Sequence, residues 1–168
     1  MSSIAIRVDY FLYTWRHKLA FLKVEKKVLG HNTLKGLRHD LDKLFLYWLP
    51  WLDVEEVQGI HRRHSRHHTE YDGKHCQNEK DYREMIIDWE CACLTKPDKP
   101  LRAFATMLKW YPQMENKVLP LMLKLHLVDE AAVLQAVNLG LCSFEEAEKK
   151  IKRHGYRLIK TVYATGDD

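Results

Sequence analysis

The chain has 168 residues, 46% of them hydrophobic and 30% charged, with a net charge of +4. That balance suits one soluble domain that buries a core without staples, and the charge falls short of a nucleic-acid-coating protein. No apolar run nears the roughly 18 residues that cross a bilayer. The four cysteines, Cys76, Cys91, Cys93 and Cys142, match no zinc-ribbon spacing, and without a secretory signal they read as reduced thiols of a cytoplasmic protein. Ten histidines are the compositional anomaly.

Residues 4–28 predict a long first helix with Val8, Phe11, Leu12, Trp15, Leu19 and Leu22 as its core stripe and Gly30 as its terminator. His17 lies beside that stripe. Asn32 or Thr33 caps a second helix running to Leu49, where Pro50 stops it. Its core face is Leu34, Leu37, Leu41, Leu44, Phe45 and Trp48, with His39 and Asp40 alongside and Lys43 one turn beyond, in the sequence HDLDK. A third helix, Asp53 to Tyr71, opens on a capping box of Asp53 and Glu56. Val54, Val57 and Ile60 begin a face that continues at the same spacing through His61, His64 and His68, so a buried aliphatic stripe turns into imidazole partway along. His67 falls off that face. Arg62, Arg63 and Arg66 read as a solvated basic side or as phosphate contacts, and His75 and Cys76 in the following loop as incidental.

The fourth helix, Glu79 to Leu94, carries Tyr82, Met85, Ile86, Trp89 and Cys93 on one face. Asp88 sits among apolar neighbours, where a carboxylate must be paired, either with an arginine or with a metal. Cys91 and Cys93 read as packing. TKPDKP (95–100) is the linker. Beyond it the pattern predicts a fifth helix from Pro100 to Trp110 and a sixth over 113–127 containing Pro120. A seventh is capped by Asp129 and ended by Gly140, and an eighth is opened by Ser143 and Glu146 and closed by Gly155. His126 and His154 carry no assigned role. The fold class is therefore all-α, one domain over 1–168, with 1–95 a metal-binding core and 101–168 supporting C-terminal helices.

His17, then His39-Asp40, then His64 and His67 or His68, then Asp88 stand in this order on separate helices. The set resembles the HD-domain superfamily of metal-dependent phosphohydrolases, and HDLDK is similar to the HDxxK form of its two-metal members. More narrowly, residues 10–95 resemble a small phage and bacterial family with an HDxxK helix, a histidine cluster and a closing Asp-Trp. The resemblance implies an HD-domain-like helical bundle, host-cytoplasmic if phage-encoded, with His17, His39, Asp40 and Asp88 as ligands of one metal. His64 and His68 would complete a second site, with Asp40 bridging. Only 22 positions separate His17 from His39, tighter than in many members, which makes His31 a rival first ligand.

Imidazole and carboxylate donors together suit iron, manganese, zinc, nickel or cobalt. Lys43 and Arg38 are candidates to neutralise a phosphate. His67 and His61 are candidates to donate a proton or to orient a ligand. The leading expectation is hydrolysis of a nucleotide or related phosphate ester through metal-activated water. A di-iron oxygenase and a non-catalytic helical protein with a structural metal are the alternatives. Nucleic acid is a weaker partner, resting on Trp48, Trp51 and Trp89 as stacking surfaces. No membrane partner is expected, and the sequence assigns no oligomeric state.

Overall fold

A computed structural model of the chain describes residues 3–68, 78–96 and 100–158. All regular structure among them is helical, so the fold is all-α, and no helix among them is long and apolar enough to cross a membrane. The chain divides into two compact units, Met1–Pro100 and Leu101–Asp168, at the proline-containing linker.

The first unit begins with α1, Ile4–Leu29. Ser3 Oγ accepts the Ile6 N–H to start it, and Gly30, at φ 80°, returns its N–H to the Lys26 carbonyl to end it. Only a residue tolerant of the left-handed region closes a helix this way without strain. The face that α1 buries is not the expected stripe. Leu12, Trp15 and Leu19 are exposed, while Arg7, Thr14, His17, Lys18, Phe21, Val24 and Glu25 are buried. These polar groups face inward because each finds a partner there. Arg7 donates to the carbonyls of Tyr47 (3.0 Å), Leu49 (2.8 Å), Pro50 (3.4 Å) and Leu52, tying down the turn that follows the next helices. Glu25 accepts from Thr33 N–H (3.1 Å) and Thr33 Oγ (2.7 Å), and Thr33 caps α2.

The single second helix that the pattern predicts is broken in two: α2, Leu34–Arg38, and α3, Leu41–Leu46. The joint is His39-Asp40, with Asp40 in the left-handed region (φ 58°). Lys18 Nζ reaches across from α1 to donate to the carbonyls of Leu37 (2.6 Å) and His39 (3.0 Å), which the break leaves without helical donors. This joint resets the register. Leu34, Leu37, Phe45 and Trp48, expected in the core, are exposed, and the inward positions go to Gly36, His39, Asp40, Leu44 and Tyr47.

Helix α4, Val54–His64, opens on the expected Asp53–Glu56 capping box. It buries Val54, Val57 and His61 and ends at His64, with Ser65 as its cap; residues 65–68 are not helical, and the rest of the predicted Asp53–Tyr71 span lies outside the described residues. Helix α5, Glu79–Thr95, lies along α1, with Phe21, Val24, Ile87 and Cys91 in contact. Tyr82, Met85, Ile86 and Trp89 are buried as expected, so Trp89 offers no stacking face; Trp48 and Trp51 are exposed.

The second unit comprises α6 (Ala103–Trp110), a 3₁₀ turn (Pro112–Met114), α7 (Glu115–Lys124, containing Pro120), α8 (Glu130–Asn138) and α9 (Phe144–Arg153). Helix α6 starts three residues after Pro100, because Arg102 takes the capping position with its N–H on Gln135 Oε1. Asp129 caps α8 and also accepts from Arg102 (2.6 Å), and the Ser143–Glu146 box opens α9 as expected. Its core is Phe104, Met107, Val118, Leu119, Met122, Val133 and Ile151.

Candidate metal centre

Four pieces of the first unit aim ligating atoms at one point. Neighbouring side chains of a regular helix diverge by about 100°, so at best they share the two edges of a buried stripe; with the helix broken at Asp40, His39 and Asp40 are both buried, at 2% and 3% exposure. His17 comes from the middle of α1, His61 from the last turns of α4, and Asp88 from the centre of α5. His67 and His68 follow the end of α4, where the extended Ser65 turns the chain back.

Asp40 Oδ1 stands at the middle. It lies 3.0 Å from His61 Nε2, 3.7 Å from His67 Nε2 and 3.7 Å from His39 Nε2. His39 Nε2 is in turn 3.5 Å from Asp88 Oδ1, which is 2.6 Å from His17 Nε2. Yet Asp40 Oδ1 and the Nε2 atoms of His39, His61 and His67 are buried without a properly directed hydrogen bond. Such orphaned groups are costly unless something absent from the protein chain satisfies them.

The opposite ring nitrogens are all engaged. His39 Nδ1 and His67 Nδ1 both lie 3.2 Å from Glu84 Oε1; His61 Nδ1 is 2.7 Å from Asp42 Oδ2, and His17 Nδ1 is 3.0 Å from Thr95 Oγ. A carboxylate on Nδ1 fixes the N–H there and leaves Nε2 as a lone pair, the arrangement that orients imidazole toward a metal. Donor atoms of His17, His39 and Asp40 lie within 4.8 Å of one another, as do those of His39, His67 and Asp88 and those of His61, His67 and His68. Ligands about 2.1 Å from one ion stand roughly 3–4 Å apart, so the donor set fits a metal with small adjustments.

Charge follows the same plan. Burial opposes ionisation of Asp40, but His39, Lys43 and His61 overcome it and hold its carboxyl well below the usual range. Asp88 is lowered likewise against burial by His17 and His39. Burial would lower His39, yet Asp40, Asp88 and Glu84 outweigh it and push it up to about 10. His67 goes the other way, to about 4, through burial and the neighbouring His39. Burial would lower His61 too, but Asp40 and Asp42 beside it raise it; before any metal enters, His39 therefore holds an extra proton while His67 is a free base.

Several expected residues take other places. His64, the last residue of α4, is exposed with Nδ1 on the Ile60 carbonyl (2.8 Å). His67, read as lying off the face, joins the cluster through the same helix end. His61 is inside the cluster with Nε2 toward Asp40. Lys43 is not turned out toward a ligand; its Nζ donates to Asp40 Oδ2 (2.9 Å), and that carboxylate raises its pKa against the effect of burial. Arg38 is exposed on α2, and His31 is exposed with Nδ1 on the Leu29 carbonyl. The partner of Asp88 is His17 and not an arginine. His75 and Cys76 lie outside the described residues.

Glu84, Asp42 and Thr95 were absent from the expected site. Glu84 stands one helical turn before Asp88, and Asp42 two residues after Asp40, so both were readable only once Asp88 and Asp40 were fixed as inward. Cys91, taken as packing, is buried with Sγ 3.6 Å from His17 Nε2 and donates to the Asp88 carbonyl (3.2 Å). No protein-family model, no curated protein and no solved structure matches this chain.

Proposed function

We propose that this centre holds one or two divalent transition-metal ions and hydrolyses a phosphate ester of the nucleotide class or a relative of it. The reading rests on four of the buried atoms left without a hydrogen bond, His39 Nε2, Asp40 Oδ1, His61 Nε2 and His67 Nε2, together with the anchoring of those three rings on their far side by Glu84 and Asp42. One ion would take His17, His39, Asp40 and Asp88. A second would take His61, His67 and His68, with Asp40 between the two. Mixed nitrogen and oxygen donors of this kind suit iron, manganese, zinc, cobalt or nickel. A metal bound there lowers the pKa of water and polarises a phosphoryl oxygen.

The chain's own residues do the rest. Lys43 keeps Asp40 ionised and occupies its outer oxygen, so a single oxygen faces the centre. Glu84 locks two rings with one carboxylate, and Asp42 locks a third. Asp42, with a side chain 45% exposed, is the most open of the acidic groups around the cluster, and Asp88 is 16% exposed. Neither Lys43 nor Arg38 presents a free cation to the cluster, so the phosphoryl charge would be met by the metal itself.

The test is elemental analysis of protein purified without a chelating tag, followed by phosphate release from a panel of nucleotides and phosphate esters. Bound metal with phosphate release, both lost in His39→Ala, is the expected result. Metal with oxygen consumption and no phosphate release would replace hydrolysis with the di-iron oxygenase. Loss of helical circular dichroism on chelation, with neither activity, would make the metal structural.

A further inference from the structure

The apolar stripe that α1 leaves outside its own unit has the period of a helix–helix seam. Val8, Leu12, Trp15, Leu19 and Leu22 are spaced by four, three, four and three residues, the alternation that keeps a row of knobs facing a second helix. Leu12, Trp15 and Leu19 are 44%, 45% and 52% exposed, on a helix of 26 residues, about 39 Å long. The surface does not stop at α1. Phe11 packs on Trp48 at 5.4 Å between ring centroids, and Trp48 follows Phe45 by one turn; the two are 58% and 73% exposed. At such exposures Trp15, Phe45 and Trp48 alone present roughly 300–400 Å² of aromatic surface. The leucines carry the patch toward the ~800 Å² per partner of a stable interface, well past what an isolated soluble chain usually leaves open.

We propose that α1 pairs antiparallel with α1 of a second copy of this chain. A two-fold axis near residue 17 sets Trp15 against the partner's Leu19 and Leu12 against the partner's Leu22. Each contact then occurs twice, as an isologous interface demands. Such an axis also places the same flank of each helix together. On one flank stand Asp9, Arg16 and Lys23, all exposed. In this register Asp9 comes within one turn of the partner's Lys23, and Lys23 of the partner's Asp9, so opposite charges meet at both ends; Arg16 comes beside the partner's Arg16 at the axis, one like-charge contact against two of opposite sign. In a parallel pair the two-fold axis runs along the helices and sets this flank against the partner's opposite one, so the Asp9–Lys23 contacts are not made. The two pairs of opposite charge therefore favour the antiparallel copy.

The test is the solution mass of the full chain by light scattering at micromolar concentration, with matched variants. A mass about twice 20.0 kDa that falls to the single-chain value in Leu12→Glu/Leu19→Glu, with helical circular dichroism retained, supports the pairing. Asp9→Lys should weaken association roughly tenfold at low salt, and Asp9→Lys combined with Lys23→Asp should restore it, an outcome that a folding defect cannot imitate. A wild-type monomer overturns the proposal, including one whose stripe is protected from amide exchange by the second unit. A dimer indifferent to both sets of substitutions overturns it as well.

Discussion

Glu84 is the residue that orients most of the cluster, because one of its carboxylate oxygens serves two rings. Its Oε1 lies 3.2 Å from both His39 Nδ1 and His67 Nδ1, while Oε2 takes Lys35 Nζ at 2.8 Å. Glu84→Gln preserves the volume, so no cavity confuses the result. The amide oxygen can still accept from both imidazole N–H groups, but it has lost the charge, and its NH₂ stands against Lys35 Nζ, where Oε2 stood. Both rings are thus held more weakly. Losing an orienting partner of this kind costs 10–100-fold in metal affinity, or about 1.4–2.7 kcal/mol. Competition against a chromophoric chelator measures it, with a thermal melt of the metal-free protein as the control for folding. A folded Glu84→Gln with wild-type affinity would refute the claim that this carboxylate sets the two imidazoles. So would an equal loss in Lys35→Met, since the effect would then come from the Lys35 ion pair and not from the rings.

Four further outcomes follow from the same geometry. His39→Ala and Asp40→Asn should each abolish stoichiometric metal by elemental analysis, whereas His64→Ala and Arg38→Ala should leave it unchanged. Metal binding near neutral pH should release at least one proton, measured by calorimetry in buffers of different ionisation enthalpy, because His39 is protonated until a metal displaces the proton and His61 is raised as well. In the metal-free protein His39 is raised from its ordinary 6.5 to about 10, so its contribution to stability is full below pH 6.5 and disappears as the pH climbs through about 10; denaturant midpoints across that window should fall. Lys18→Met should cost about 1–3 kcal/mol in a urea melt, since it strands the buried carbonyl of His39 and removes a donor from the partly buried one of Leu37.

Much of the helix layout could be read from punctuation. Gly30, Thr33, Asp53 with Glu56, Asp129, Gly140 and Ser143 with Glu146 each sit at a helix end, because capping is a local matter of one side chain and the nearest backbone donors. Which face points inward was less legible. On α1 and α2–α3 the usual rule, apolar inside, selects Leu12, Trp15, Leu19, Leu34, Leu37 and Phe45, and these are the exposed residues. Hydrophobic periodicity reports that a helix has an apolar side; it does not report what that side meets. The histidines show the same limit. Spacing from His61 reaches His64 and His68 only if the helix continues, and the extended backbone at Ser65 exchanges His64 for His67.

The break at Asp40 joins these misreadings into one account. A non-glycine residue held in the left-handed region costs about 1–2 kcal/mol, and such strain persists where surrounding contacts fix it. Here Lys18 holds the carbonyls on one side of the joint and Lys43 holds the Asp40 carboxylate on the other. A continuous helix through residues 34–49 would have buried its leucines and turned His39 and Asp40 apart. The broken one does the reverse: it delivers both ligands to the centre and leaves Leu37, Phe45 and Trp48 on the outside, next to the seam of α1. A unit that fills its interior with imidazoles, carboxylates and lysines has less apolar burial with which to offset chain entropy. Ligands that bind only the folded form restore that deficit by mass action. The metal would act from within and the second copy from without, so chelation should lower the concentration of denaturant at which the dimer dissociates. Metal-stripped protein whose association is as robust as the loaded form would separate the two devices.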